Sequence, residues 1–198
     1  DIKIITISHI RNIGSVNNFN KGLELASGKI VVIADGDDIS LPNRLCKLAG
    51  LHNIYRKSLY ISNAKIIRDD LTINLDERRF YSDFDLNNLS VADIFTNKTP
   101  VFGAGYAFER SLFDEQNGVD SVWVTQNNVD QYIFWKAYFG CGIHYINEPL
   151  IVYRIHAEGL TINRASDFNA FTKEKYILNK VGNLLYLLQD NREYTDIF

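Results

Sequence analysis

Three aspartates stand directly behind an apolar run in this chain, where residues 30–38 read Ile-Val-Val-Ile-Ala-Asp-Gly-Asp-Asp. An apolar run without alternation is typical of a strand that is buried on both faces, as in a parallel sheet. Carboxylates at the end of such a strand lie at the sheet edge where open α/β proteins bind their ligands. Asp35, Asp37 and Asp38 would supply the hard oxygen ligands that Mg²⁺ and Mn²⁺ prefer, so they predict a site for a metal ion and a phosphorylated ligand.

The elements around this acidic segment follow a strand–helix–strand order. The sequence predicts a strand over 2–7, a helix over 15–26 with Ser15 as its N-cap, and a strand over 30–35. Together these form the βαβ unit of a parallel sheet. A second helix is predicted to begin near Pro42, with Leu41, Leu45, Leu48 and either His52 or Leu51 on its buried side.

The remaining elements alternate in the same way. We predict strands over 59–61, 64–67, 101–108, 143–146 and 150–154, a helical turn over 110–115, and helices over 130–139 and 168–189. Glycines in the 101–108 strand indicate that another group approaches its backbone closely. Residues 72–98 are interpreted as an irregular insertion with one short helix near 89–96. The predicted fold class is α/β: a mainly parallel, Rossmann-like sheet flanked by helices, followed by a C-terminal helical extension.

The composition limits the class of protein. The chain has 198 residues, of which 46% are hydrophobic, enough for one sizeable core. Its net charge of −3 gives no electrostatic basis for binding nucleic acid. Cys46 and Cys141 are too few for a disulfide framework or a zinc site and favour a reducing, cytoplasmic compartment.

Four motifs in sequence order resemble glycosyltransferase family 2. The first is Asn-x-Gly-x₅-Asn-x-Gly-x₃-Ala-x-Gly over 12–28, followed after the apolar run by Asp-x-Asp-Asp-x₃-Pro over 35–42. The others are the segment over 103–113, the Val-Asp-Gln-Tyr segment over 129–132, and Glu-Pro-Leu-x₂-Tyr-Arg-x-His over 148–156. The chain departs from the family at Asn18, where a small residue is usual, and at Val129, where the family has an acid.

The resemblance implies a GT-A fold and a reaction. Residues 1–160 would form part of a GT-A catalytic domain, and residues 161–198 a helical extension that packs on it. The reaction would be a metal-dependent, inverting transfer of a sugar from a nucleoside-diphosphate sugar, UDP- or dTDP-linked, to a hydroxyl of a glycan or lipid-linked acceptor. Such a lipid-linked acceptor would place the protein in peripheral association with the inner face of the membrane.

The resemblance also assigns roles to individual residues. Mn²⁺ or Mg²⁺ would be bound by Asp37, with Asp35 lying near the ribose or reaching the metal through water and His156 as a further ligand. The nucleotide-sugar site would comprise the three aspartates together with Asn12, Asn20 and Arg154, the last facing the pyrophosphate. Asp130 would be the general base that takes the proton from the acceptor hydroxyl.

Alternatives remain open for several of these residues. Asp130 could cap a helix, and His156 could be a structural histidine behind a strand. Asp35 and Asp37 could instead belong to a haloacid-dehalogenase-like phosphatase, although Ile39 stands where that family prefers Thr or Val. The chain could also be a degenerate, non-catalytic transferase module. An EF-hand is excluded because Cys46 occupies the position of its closing Glu.

Members of the family begin with two further strands, and an Asp behind the second of them reads the nucleotide base. Residue 1 of this chain falls just before the third strand of that arrangement, and the chain contains no Met. We therefore expect a longer native chain, with the base-reading residues outside this sequence.

Overall fold

The computed structural model of the chain describes residues 3–68, 73–79, 84–86, 90, 93, 101–116, 118–119 and 129–157. The predicted helix over 168–189 and the domain boundary at residue 160 lie outside the described residues, as does most of the predicted helix near 89–96. The helices are α1 (Ser15–Leu25), α2 (Arg44–Tyr55) and α3 (Val129–Phe139). The strands are β1 (Ile30–Val32), β2 (Ile39–Ser40), β3 (Leu59–Arg68), β4 (Ile73–Arg78), β5 (Tyr106–Glu109) and β6 (Ile143–Ile155), and 3₁₀ turns span Gly103–Gly105 and Arg110–Gln116.

These strands form one sheet in the order β1-β5-β3-β6-β2, and β4 pairs with β3. Helices cover both of its faces. Alternate residues of β3 send Leu59 and Ile61 into a core with Val16 of α1 and Trp135 of α3. Tyr60 points to the opposite face and joins a second core cluster with Leu48 of α2. The α/β class with helices on both faces is therefore confirmed.

The expectation of a mainly parallel sheet is wrong for the described strands. Only β3 and β6 pair in parallel, while the β1–β5, β3–β5, β2–β6 and β3–β4 pairs are antiparallel. The apolar run that suggested a doubly buried strand forms only the three-residue β1, which is half-buried at the end of the described strand order. Lack of alternation therefore determined neither full burial nor strand direction.

The predicted strand over 2–7 is also not observed. Residues 3–9 have no regular secondary structure, and Ile4 is 85% exposed. Within the described part of the chain no strand pairs with this segment, and a strand without a neighbour leaves its backbone polar groups unpaired. The predicted βαβ unit is therefore reduced to α1 and β1.

Helix ends and local details differ in informative ways. The N-cap of α1 is Gly14, with a φ of 81°, and not Ser15. In α2 the buried positions are Arg44, Leu48 and His52, whereas Leu45 is exposed. The spacing of apolar residues could not show that an arginine lies on the buried side of this helix.

Two strands predicted separately over 143–146 and 150–154 form the single strand β6. The β3–β6 register shifts around Asn63, which pairs with Pro149. Proline has no N–H to donate to the ladder, so an irregularity there is expected. Gly105 confirms the predicted close approach, because a Cβ at this position would lie 2.5 Å from the carbonyl oxygen of Ser62.

No helix in the described ranges is both long enough and apolar enough to span a membrane.

Candidate active site

The acidic segment forms a tight turn between β1 and β2. The N–H of Asp38 donates to the carbonyl oxygen of Asp35 at 3.3 Å, which closes the turn. The chain then continues into β2, where Ile39 and Ser40 pair antiparallel with Val152 and Ile151 of β6. This register places the end of β6 alongside the turn and brings the Asp-x-Asp-Asp segment and the 148–156 motif together.

Three hydrogen bonds join the turn to the end of β6. Nε2 of His156 lies 2.9 Å from Oδ2 of Asp37. The backbone N–H of Arg154 donates to Oδ1 of Asp38 at 2.9 Å, and its side-chain Nε donates to the carbonyl oxygen of Asp37 at 3.0 Å. Four residues that the sequence assigned to one site are therefore in contact, although more than a hundred positions separate the two segments.

The three carboxylates of the turn have different environments. The hydrogen bond from His156 lowers the pKa of Asp37, which stays ionised on an open surface. Burial, opposed in part by the N–H of Arg154, raises the pKa of Asp38 to about 6. Burial and then the charge of Asp37 also raise the pKa of Asp35. Asp37 is thus the carboxylate that is most available, as an anion, to a cation in solution.

The donor set fits a divalent cation that shares its ligands with a phosphate. Asp37 and His156 present an oxygen and a nitrogen side by side, and Oδ2 of Asp38 is buried with no hydrogen-bond partner in the described structure. No three His, Cys, Asp or Glu side chains in the described ranges are grouped to hold a metal alone. Mg²⁺ is commonly bound by one or two carboxylates plus substrate phosphates, so a pair of ligands is compatible with it.

Arg44 is a residue of this site that the sequence did not reveal. It begins α2 and is 1% exposed. Its Nη2 donates to the carbonyl oxygens of Ile33 and Ala104, and its Nη1 donates to Oγ of Ser40. Burial lowers the pKa of Arg44, and the charges of Asp38 and Asp35 oppose this. The Asp-x-Asp-Asp-x₃-Pro motif ends two residues before it, and burial of a cation is visible only in three dimensions.

Asp130 lies at the start of α3, where its Oδ1 accepts a hydrogen bond from the N–H of Gln131 at 3.0 Å. A Cβ placed on Gly103 would lie 3.1 Å from the Cβ of Asp130, a close contact that would require Asp130 to move by a few tenths of an ångström. Gly103 directly precedes Ala104. Arg44 links Ala104 to Ile33, just before the acidic turn, by donating to both of their carbonyl oxygens. Burial and then the charge of Asp130 raise the pKa of Tyr106 well above its usual range. Asp130 therefore packs against the same end of β5 that Arg44 connects to the turn.

The two asparagines predicted to bind the nucleotide have partners within the chain. Oδ1 of Asn12 accepts a hydrogen bond from the N–H of Gly14 at 2.8 Å. The amide of Asn20 donates to the carbonyl oxygen of Val119 at 2.7 Å and accepts from its N–H at 2.8 Å. These contacts hold local backbone in place, and a direct contact of either asparagine with a nucleotide stays a prediction.

Gly118 directly precedes Val119, whose backbone forms the two hydrogen bonds with Asn20. Its φ is +116°. A Cβ there would lie 2.4 Å from Oδ1 of Asn20, which is held by both of its hydrogen bonds. We expect Gly118→Ala to lower the free energy of unfolding of the full-length protein by about 1–3 kcal/mol, because backbone strain and the clash act together. Urea unfolding measures this change.

The matched control is Gly50→Ala, on the exposed side of α2 with nothing within 4 Å of the new methyl group. It should raise the free energy of unfolding by about 0.5–1 kcal/mol, since alanine is the better helix former. If the two substitutions change the free energy of unfolding equally, the contact with Asn20 does not constrain residue 118.

A cavity of about 770 Å³ lies beside α1, away from the acidic turn, and is lined by residues that include Asn20, Phe113 and Arg110. It contains none of the aspartates discussed above. Asp37, Asp38, Arg154 and His156 instead contact one another where the acidic turn meets the end of β6.

Comparisons with known proteins agree with this architecture. The sequence profile of a family described as Glycosyl transferase family 2 matches residues 1–116. An uncharacterized glycosyltransferase, MJ1057 of Methanocaldococcus jannaschii, is 47% identical over 47 residues, which are 24% of this chain and 16% of that protein. The match therefore spans about a sixth of the relative's length.

Two crystal structures of S. aureus TarS 1-349 resemble the fold. The structure in complex with UDP has a TM-score of 0.50 at 12% identity and covers 72% of this chain and 40% of that one. The structure described without a ligand has a TM-score of 0.50 at 16% identity, with the same coverage of both chains. These likenesses confirm the expected glycosyltransferase fold. Since the family profile covers more than half of the sequence, the chain belongs to glycosyl transferase family 2.

Proposed function

We propose that the chain is part of the catalytic domain of an inverting transferase that moves a sugar from a nucleoside-diphosphate sugar to an acceptor hydroxyl. The observation that carries this proposal is the contact of Asp37 with His156, supported by the two hydrogen bonds that Arg154 donates to the acidic turn. An ionised carboxylate, an imidazole and a guanidinium at one sheet edge suit the binding of a cation and a pyrophosphate together.

Asp37 and His156 would hold a Mn²⁺ or Mg²⁺ ion, with Asp35 contributing directly or through water. When bound, that ion would neutralise the charge that develops on the departing diphosphate. Arg154 would add a second positive charge on the same side. Asp38 would position the end of β6 by accepting from the Arg154 backbone, because this hydrogen bond already occupies one of its oxygens.

Asp130 would act as the general base. The acceptor oxygen forms a bond to the anomeric carbon of the sugar, the bond from that carbon to the diphosphate oxygen breaks, and the proton of the attacking hydroxyl passes to the Asp130 carboxylate. The location of Asp130 against Gly103, at the end of β5 that Arg44 links to the acidic turn, supports this role. A base on the acceptor side is what single-displacement transfer requires.

The proposal also includes the classes of donor and acceptor. TarS, whose fold this chain resembles, is described in complex with UDP, which favours a UDP-linked donor over a dTDP-linked one. We propose a hydroxyl of a glycan or of a lipid-linked molecule as the acceptor, with the protein in the cytoplasm at the inner face of the membrane. The phosphatase alternative is set aside, because the chain belongs to a glycosyltransferase family.

A nucleotide-sugar screen on the full-length protein tests this proposal. With Mn²⁺ present, release of nucleoside diphosphate from a panel of UDP- and dTDP-sugars should select one donor. Removing the metal with EDTA should abolish turnover, and Mn²⁺ or Mg²⁺ should restore it. Metal and nucleotide binding without any turnover across the panel, with acceptor glycans supplied, would favour the non-catalytic module instead.

A further inference from the structure

The ladder between β1 and β5 ends at the point where the acidic turn begins. Val32 pairs with Ala107, and the next N–H, from Ile33, donates to the carbonyl oxygen of Tyr106 at 3.0 Å. Continued without change, this register would place Asp35 opposite Ala104. Ala104 lies instead in the Gly103–Gly105 3₁₀ turn, so the two segments separate there.

The guanidinium of Arg44 fills the gap that this separation leaves. One nitrogen, Nη2, donates to the carbonyl oxygen of Ile33 at 2.8 Å and to that of Ala104 at 2.9 Å. The other, Nη1, donates to Oγ of Ser40 at 3.0 Å, just behind the acidic turn. Arg44 therefore contacts the chain before the acidic turn, the chain after it, and the Gly103–Gly105 3₁₀ turn.

A lysine could not reproduce these contacts. Its single ammonium nitrogen would have to reach three acceptors that the planar arginine fork serves from two nitrogens. The position is 1% exposed, and a buried cation is costly unless it is hydrogen-bonded and faces opposite charge. Asp35 and Asp38 provide that charge nearby. The site therefore contains a buried cation whose two Nη nitrogens are hydrogen-bonded, whereas its buried Nε has no hydrogen-bond partner among the described residues.

We infer that Arg44 is a positioning residue of this site, which sets the spacing between the acidic turn and the Gly103–Ala104 turn against which Asp130 packs. The inference rests on the proposed function, since it gives that spacing a role in sugar transfer. The acidic turn carries the groups for the diphosphate, and Asp130 is the group for the acceptor. Displacing one group relative to the other by about 1 Å can cost 10²-fold in rate without weakening substrate binding.

Arg44→Lys in the full-length protein tests the inference, with Arg56→Lys as its matched control. Arg56 is exposed at the opposite end of the same helix. We expect kcat of Arg44→Lys to fall by about 10- to 100-fold while the KM for the donor changes little, because only the relative placement of bound groups is altered. The amide protons of Ile33 and Gly105 should exchange faster with solvent. Arg56→Lys should match the wild type in all three measurements.

A double substitution separates positioning from a general structural role. If Arg44 acts through the placement of Asp130, then adding Arg44→Lys to Asp130→Asn should lower kcat little further, since residues that act as a unit are not additive. Full additivity of the two effects, or faster exchange with an unchanged kcat, would overturn the inference. If Arg44→Lys fails to fold by circular dichroism, Ser40→Ala removes the acceptor of Nη1 and should lower kcat in the same direction, by less.

The outcome is distinguishable from failure of the proposed function. A wild-type protein without turnover on any donor would refute the proposed function. The exchange rates of Ile33 and Gly105 would then decide alone whether Arg44 holds the two turns together, and unchanged rates would overturn that statement as well.

Discussion

Asp37→Asn in the full-length protein is expected to lower kcat/KM for the sugar donor by about 10²- to 10³-fold, the usual effect of losing one group that stabilises developing charge. Asparagine has the same shape and can still accept a hydrogen bond from His156, so the turn should keep its conformation. The lost negative charge would weaken the binding of the proposed cation. Steady-state kinetics with Mn²⁺ measure the rate, and isothermal titration calorimetry should show weaker binding of Mn²⁺ with the nucleoside diphosphate.

Glu24→Gln is the control for this substitution, because Glu24 forms an exposed ion pair with Lys21 on α1, outside the acidic turn. Exposed pairs contribute little, so its kinetics should equal those of the wild type. If Asp37→Asn binds Mn²⁺ as tightly as the wild type, Asp37 is not a ligand of the metal. A loss of folded protein, in contrast, would point to a structural role for its contact with His156.

Asp130→Asn is expected to lower kcat by about 10²- to 10⁴-fold, the range for loss of a general base, with nucleotide affinity unchanged. The amide cannot take the proton of the acceptor hydroxyl, but its oxygen can still accept from the N–H of Gln131 and preserve the start of α3. Turnover with saturating donor and acceptor measures the loss. Binding of the nucleoside diphosphate, measured separately, shows whether the donor side is intact.

The two aspartates should therefore differ in what they change. Asp37→Asn weakens metal and diphosphate binding as well as the rate, whereas Asp130→Asn affects the rate alone. If Asp130→Asn keeps wild-type turnover and only lowers the melting temperature, Asp130 is a helix cap, as the presence of Val129 in place of an acid had left open.

Much of the local structure could be predicted from the sequence. The helices predicted over 15–26 and 130–139 correspond to α1 and α3, and the helical turn predicted over 110–115 corresponds to the 3₁₀ segment Arg110–Gln116. The residues of the acidic turn and of the 148–156 motif lie together as expected. Helices are predictable because they depend on residues that are close in the sequence. The contact between the two motifs was predictable because both belong to the pattern of one family.

Strand direction and the buried cation were not predictable in this way. The run over 30–34 is apolar whether its neighbour is parallel or antiparallel, and the antiparallel pairing with Tyr106–Glu109 depends on a segment more than seventy residues away. Ser15 is a common N-cap type, but Gly14 takes the position because its φ of 81° suits glycine. Arginine is usually a surface residue. Arg44 is part of the site only because the fold places three hydrogen-bond acceptors around its guanidinium.

The sequence by itself determined the chemical inventory: carboxylates behind an apolar strand, a histidine and arginine near residue 155, and an aspartate at a helix start, in the order of one family. The tertiary structure decided which of these groups touch. The β2–β6 register brings His156 to Asp37, and Arg44 joins the turn to the segment that contacts Asp130. Residue types depend on the chain alone, whereas distances between segments depend on hydrogen bonds and packing that form only when the whole sheet assembles.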